Sequence, residues 1–181
     1  MLSRFLLAAV AVGCFVSAGS AAEKLTLRPD DSKLTFVGSK PEGSHDGGFK
    51  KFEAVVEADF ERPSNSTVKI EIDAQSLWAD DPKLEAHLKN PDFFNVRKHP
   101  KITFESTAIT EGGLTDIEIV GKMTMLGETV EVRIPADADV SDKGLTLRAK
   151  FKIDRTKWKM DYGQGKIDND VTINAVMVFA R

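Results

Sequence analysis

The sequence predicts an all-β domain of eight antiparallel strands with one short helix. Three observations lead there. Apolar and polar residues alternate over most of the chain, turn signals punctuate the alternating segments, and only one stretch has convincing helical spacing. Period-two alternation is the pattern of a strand with one face in a core and one in water.

The elements follow in order. "KLTFVGSK" turns Leu34 and Phe36 to one face. "KFEAVVEADF" turns Phe52, Ala54, Val56, Ala58 and Phe60 inward, against Lys51, Glu53, Glu57 and Asp59. "VKIEID" offers Val68, Ile70 and Ile72. "DDPKLEAHLKN" is the helix, with Pro82 near its start, Leu84 and Leu88 four apart, and Lys89 at its end. "KITFESTA" then offers Ile102, Phe104, Ser106 and Ala108. "DIEIVGKM" offers Ile117, Ile119, Gly121 and Met123, and "TVEVRIP" offers Val130, Val132 and Ile134. "LTLRAKFKID" gives Leu145, Leu147, Ala149, Phe151 and Ile153. "DVTINAVMVFA" gives Val171, Ile173, Ala175, Met177 and Phe179. "DGG", "RPSNS", "EGG", "LGE" and "SDKG" read as turns, and "RTKWKMDYG" as a short helical turn.

Eight amphipathic strands in one small domain must hide their apolar faces. The sheet either folds into two packed layers or closes into a barrel. An eight-stranded barrel is filled by its own side chains or holds one small ligand. The inward list mixes large and small residues, Phe36 and Phe151 beside Ala54, Ala149 and Ala175. That mixture fits either ordinary interdigitation or a cavity.

The 181-residue chain is 41% hydrophobic and 29% charged, as expected of a single globular domain. A net charge of −3 argues against nucleic-acid binding. Residues 1–22, "MLSRFLLAAVAVGCFVSAGSAA", read as an export signal: an early Arg4, an apolar run, then small residues at Ser20 and Ala22. Cleavage after Ala22 leaves a domain at 23–181, periplasmic or secreted, with no membrane span. The only cysteine, Cys14, lies in that segment, so the mature domain has no disulfide or thiol. "AVGC" also resembles a lipoprotein attachment site, which makes lipidation of Cys14 a minor alternative.

No catalytic or metal site emerges. His45, His87 and His99 lack metal-ligand spacing, and no serine sits in a nucleophile elbow. "YGQG" has two glycines without the strand and helix of a phosphate loop. His87 follows Leu84 by three, beside the packed face, and suits a structural hydrogen bond. Arg155 is expected to pair with a carboxylate such as Asp154 or Asp161, or to meet an anionic head group.

"SHDGGFKKF", "HLKNPDFFNVRKHPKITFEST", "FKIDRTKWKMDYG" and "DNDVTINAVMVFAR" resemble, in order and spacing, blocks of the YceI-like family of polyisoprenoid-binding periplasmic proteins. The resemblance implies a lipocalin-like eight-stranded antiparallel barrel with an apolar tunnel. It also implies a long isoprenoid or fatty chain as ligand, no catalytic residues, and dimers in several members. Leu126 stands where many relatives carry His, Glu128 or Thr129 where they carry Lys, and Glu53-Ala54 where Gly is common. These departures make head-group preference less transferable.

With that family in view, the inward faces name the expected lipid lining. They are Phe36, Phe52, Val56, Ile70 and Ile72 from the first strands, and Leu88, Phe93 and Phe94 from the helix and the loop after it. Ile102, Phe104, Ile119, Met123 and Val132 follow, then Leu147, Phe151, Ile173 and Met177. His45, Arg155 and Trp158 are the expected head-group contacts. The paired rings Phe93 and Phe94 lie in a polar loop between an Asn-Pro and a His-Pro. The expectation is that at least one packs beside Leu88 and covers a barrel end. The expected activity is non-enzymatic lipid binding without a cofactor beyond a bound isoprenoid-type lipid. The competing readings are a filled-barrel protein-interaction module in an envelope stress or redox pathway and a hydrolase or isomerase using the lumen.

Overall fold

The computed structural model describes residues 22–113 and 116–181. Nearly all of the segment read as an export signal, with Cys14, lies outside the described residues. Eleven strands and one helix make up the described chain: β1 (Glu23–Leu27), β2 (Lys33–Lys40), β3 (Gly43–Phe49), β4 (Phe52–Ala58), β5 (Thr67–Asp73), β6 (Leu77–Ala79), α1 (Pro82–Leu88), β7 (Lys101–Glu111), β8 (Asp116–Met125), β9 (Glu128–Ser141), β10 (Gly144–Asp154) and β11 (Asp170–Ala180).

Eight of these strands close a ring in the order β1-β4-β5-β7-β8-β9-β10-β11, sealed where β1 meets β11. Every pairing is antiparallel. The barrel alternative is therefore the correct one, and its membership differs from the expected set. β1, only five residues long, is a ring strand that periodicity did not single out. β2, β3 and β6 form an extension that continues from β11.

The extension arises from three chain breaks at one level of the barrel. β1 and β2 follow the same edge of β11, Leu27 opposite Phe179 and Lys33 opposite Val176, with a 3-10 turn at Pro29–Asp31 between them. β3 runs into β4 through Lys50 and Lys51. β5 runs into β6 through a 3-10 turn at Ala74–Ser76, where Asp73 accepts the Gln75 N–H. Ser76 ties the second and third breaks together: its carbonyl accepts the Lys50 N–H at 3.2 Å and its hydroxyl the Lys51 N–H at 3.0 Å. On one side of this level the ring is closed. On the other, β6 has only β3 beside it, and α1 packs against β6.

Three local expectations need correction. "DGG" is not a turn: Gly47 and Gly48 lie within β3, opposite Phe36 and Thr35. A Cβ on Gly47 would sit 2.4 Å from the Phe36 ring, and one on Gly48 2.5 Å from the Leu34 carbonyl oxygen and 2.8 Å from the Trp78 indole nitrogen. Glycine is required because an aromatic ring approaches the backbone at both positions and, at Gly48, the neighbouring strand's backbone does too. In β7 the register shifts between Ser106 and Ala108. The bulge flips the alternation, so Ile109 is buried and Ala108 exposed. The Ser106 hydroxyl accepts the Val68 N–H at 2.8 Å beside it. Phe60 also departs from its expected place: it is exposed, and the Arg181 guanidinium lies 5.2 Å from its ring centre.

The hairpin between β8 and β9 uses Leu126 (φ 56°) and Gly127 (φ 84°), both left-handed, as a two-residue turn demands. At the ring's sealed end, Leu25, Val56, Ala58, Val68 and Phe179 are each at most 4% exposed, so side chains from facing strands fill the lumen.

Candidate functional site

Beyond the filled end the barrel is hollow. A cavity of about 330 Å³ runs from Val68, Ile119 and Met177 to the β2–β3 hairpin. Its wall comes from β2, β3, β5 and β7–β11. The residues are those that alternation turns inward, among them Phe36, Ile70, Ile72, Ile102, Phe104, Ile119, Met123, Leu147, Phe151, Ile173 and Met177. All four methionines of the described chain, Met123, Met125, Met160 and Met177, border it. Thioether side chains are flexible and polarizable, which suits an irregular apolar ligand.

The loop after α1 provides the cover. Asp81 caps the helix by accepting the Lys83 and Leu84 N–H groups, both at 2.8 Å. After Leu88 the chain folds back on itself. Phe94 N–H reaches the Leu88 carbonyl at 3.0 Å, and Val96 N–H the Lys89 carbonyl at 3.2 Å, with Asn95 left-handed at φ 43°. This compact turn sends both rings inward, since Phe93 and Phe94 each border the cavity with Leu84 and Leu88. Their partners differ. Phe94 joins Phe36 and Phe49, with ring centres 6.2 and 5.7 Å away. Phe93 joins His87 at 5.0 Å and Tyr162 at 5.2 Å, which connects the cover to the loop after β10. His87 also bonds Asp92 at 2.9 Å, the structural role its spacing implies.

Three expected lining residues lie off the cavity: Phe52, Val56 and Val132. Val56 faces inward but is 2% exposed, in register with Leu25 and Val68 at the filled end. Val132 is opposite Gly121, and a Cβ on Gly121 would lie 2.5 Å from the Phe104 ring. That ring, folded over the glycine, presents the surface there. Phe52 is partly buried against the core at the start of β4. Alternation assigns a face; it does not assign a level along the barrel.

Apart from Thr35 on β2, polar lining residues are confined to one end. Ser39, Lys40, His45 and Asp46 come from the β2–β3 hairpin, and Arg155 and Asp168 from the loop between β10 and β11. Lys40, Asp46 and Asp168 are exposed, so the cavity reaches the surface here. The Asp168 N–H donates to the Ser39 carbonyl at 2.9 Å and holds the two segments together. His45 borders the cavity and is fixed from behind by Asp80, 2.9 Å from its Nδ1. The Asp46 N–H donates to the other Asp80 oxygen at 3.0 Å. These two bonds, the main-chain one foremost, hold the Asp80 carboxyl below its ordinary range.

Arg155 and Trp158 part company. Trp158 is wholly buried and does not border the cavity; its Nε1–H donates to the Met123 carbonyl at 3.0 Å. It is a packing residue, because a buried indole needs an acceptor and finds one in β8. Arg155 borders the cavity and is 3% exposed. It forms neither of the carboxylate pairs expected of it. Its Nε, Nη1 and Nη2 donate to the main-chain carbonyls of Asp168, Met160 and Ile167. Asp154 instead accepts from the Thr156 N–H and hydroxyl. Among the described residues no cluster of three His, Cys, Asp or Glu side chains could hold a metal ion.

An eight-stranded closed barrel with an apolar lumen, a three-stranded extension and a ring-bearing cover is a specific architecture, and the comparisons agree with it. The model of the YceI-like domain matches residues 25–179. The chain belongs to the YceI-like family. Among YceI-like relatives, a UPF0312 protein of Pectobacterium carotovorum is 30% identical over 140 residues, 75% of this chain and 72% of that one. Another from Pseudomonas putida is 28% identical over 139 residues, 72% of each chain. The crystal structure of Burkholderia cenocepacia BcnA superposes with a TM-score of 0.80 at 23% identity, covering 86% of this chain and 99% of that one. A polyisoprenoid-binding domain from Saccharophagus degradans, implicated in plant cell wall breakdown, gives 0.68 at 12% identity, covering 89% and 99%. At these identities the structural likenesses establish the shared barrel fold.

Proposed function

We propose that this protein is an exported, non-enzymatic carrier, store or scavenger of a long apolar lipid, a polyisoprenoid, isoprenoid quinone or fatty amide or acid. The observation that carries this reading is the hollow half of the barrel, walled by aliphatic, aromatic and methionine side chains and charged only at one end. Burying each CH₂ contributes roughly 0.8 kcal/mol, while association itself costs about 4–15 kcal/mol. Several isoprene units are therefore needed for useful affinity. The binding property named for the Saccharophagus degradans neighbour supports the same ligand class. The arrangement favours a chain inserted tail first, with its terminus between the β2–β3 hairpin and the loop before β11.

A filled protein-interaction barrel is disfavoured by the cavity. A lumen hydrolase is disfavoured because Arg155, the buried ionisable group there, stays protonated and is a poor general acid or base. Export rests on the reading of residues 1–22. The test is lipid extraction and mass spectrometry of protein purified from its native compartment, followed by titration with a long polyprenyl lipid. Co-purifying lipid with saturable binding is expected. Empty protein that fails to saturate would remove the proposal.

A further inference from the structure

The polar end of the cavity contains one side chain unlike its neighbours. Lys40, Asp46 and Asp168 reach water, and His45 is held by Asp80. Arg155 is buried, borders the apolar space, and has only neutral partners. A guanidinium carries five N–H donors. Three nitrogens donate here to three carbonyls, which leaves two N–H groups beyond those bonds. A buried cation without an anion is costly, and neutral dipoles offset only part of that cost. Its surroundings agree: burial pulls the guanidinium below its ordinary pKa, and the charges of Asp161 and Asp154 oppose this only in part.

We infer that Arg155 is a specificity-determining contact for the polar terminus of the lipid, and that the terminus is an anionic oxygen group, a carboxylate or a phosphate. The three carbonyl bonds fix the guanidinium plane, so the site is pre-organised. Its planar fork matches two oxygens of either anion. Supplying the missing negative charge would make a charge-assisted contact in a low-dielectric setting, where such bonds are strongest. The apolar wall then measures the tail while Arg155 selects the end. This inference rests on the lipid-binding reading above and adds the head-group class to it.

The experiment compares three probes with one tail: hexadecanoate, hexadecyl phosphate and hexadecanol, each titrated into the full-length mature protein by displacement of a fluorescent lipid. At least one anion should bind tenfold or more tightly than the alcohol, and which anion does so identifies the carboxylate or the phosphate source. Arg155→Gln should bring anion and alcohol within about threefold while hexadecanol affinity holds. Lys166→Ala, an exposed lysine of the same loop that does not border the cavity, should leave the preference intact. Equal affinity of wild type for all three probes would overturn the inference while leaving apolar binding in place. So would a preference that persists in folded Arg155→Gln protein, or one that vanishes in Lys166→Ala. If Arg155→Gln does not fold, the wild-type comparison and Lys166→Ala decide. Failure of every probe to bind would overturn the lipid-binding reading itself.

Discussion

The two ends of this barrel are built from the same alternating pattern and differ in what the inward faces meet. At the sealed end, Leu25, Val56 and Phe179 interlock and exclude everything else. At the other, Phe151, Ile173 and Phe36 lie side by side on β10, β11 and β2, line a void and remain partly accessible. The difference comes from the wall. Where β1, β4 and β5 complete the ring it is narrow enough to fill. Where β2, β3 and β6 take over, no strand follows β6, and a helix and loop with two phenylalanines bridge the gap. Apolar patterning makes a core where the ring closes and a cavity where the strand order stays open beyond β6.

Four measurements sharpen that contrast. The largest effect is expected at the filled end. Phe179→Ala should cost about 3–5 kcal/mol in urea unfolding, as for other fully buried aromatics, with lipid affinity largely kept in the folded fraction. A loss below about 1 kcal/mol would mean that end is not packed. Second is Gly47→Ala, which drives a methyl into the Phe36 ring and toward the Trp78 carbonyl, 2.4 and 2.9 Å from the new carbon. Overpacking should cost about 1–3 kcal/mol and also weaken lipid binding, because Phe36 can retreat only into the cavity. Unchanged binding in this variant would show that the ring does not shape the ligand space.

Third, Phe94→Ala should reverse the balance seen at Phe179. The ring is only partly buried, so its stability cost should stay under about 2 kcal/mol, while affinity for a long polyprenyl lipid falls several-fold. A variant that loses stability and keeps affinity would make the ring a plug and not a lid.

The smallest effect is electrostatic and lies at the filled end. Asp59 accepts the Asn65 side-chain amide at 3.0 Å and the Arg62 and Glu61 N–H groups at 2.8 and 3.1 Å, closing the turn after β4. These bonds, the Asn65 amide first, hold its carboxyl below the ordinary value. The stability it contributes is therefore present above the unfolded aspartate pKa of about 3.9 and lost as pH falls through the lowered folded value. The gap in urea midpoint between wild type and Asp59→Asn should shrink steadily from about pH 5 toward about pH 2. A gap independent of pH would assign the effect to geometry alone.

Much of this was legible in the sequence, and the illegible parts share a cause. Period two names a face wherever a strand is long, so β4, β5 and β7–β11 were readable, and most of the inward residues do border the lumen. β1 and β6 are too short to show a period. β3 was hidden because Gly47 and Gly48 look like a turn until Phe36 and Trp78 are seen lying over them. Ala108 was misassigned because a bulge leaves no compositional mark. Phe52, Val56 and Val132 were placed on the right face and at the wrong level, since level depends on closure. Arg155 was expected to find a carboxylate among its sequence neighbours, and the fold surrounds it with carbonyls instead. Phe93 and Phe94 were the most informative pair. Two rings in a polar loop made sense only if that loop met an apolar space.

β11 pairs along one edge with β10 and along the other with both β1 and β2. Thr26 lies opposite Ala180, so the first strand finds its partner in the last. Ring closure is thus a contact of near-maximal sequence separation, the kind that folds slowly. A chain emerging from synthesis cannot seal its barrel until residue 180 is free. Until then it exposes both the apolar lumen and the unpaired edges of β10 and β1, a state prone to aggregation that a holding chaperone would have to cover.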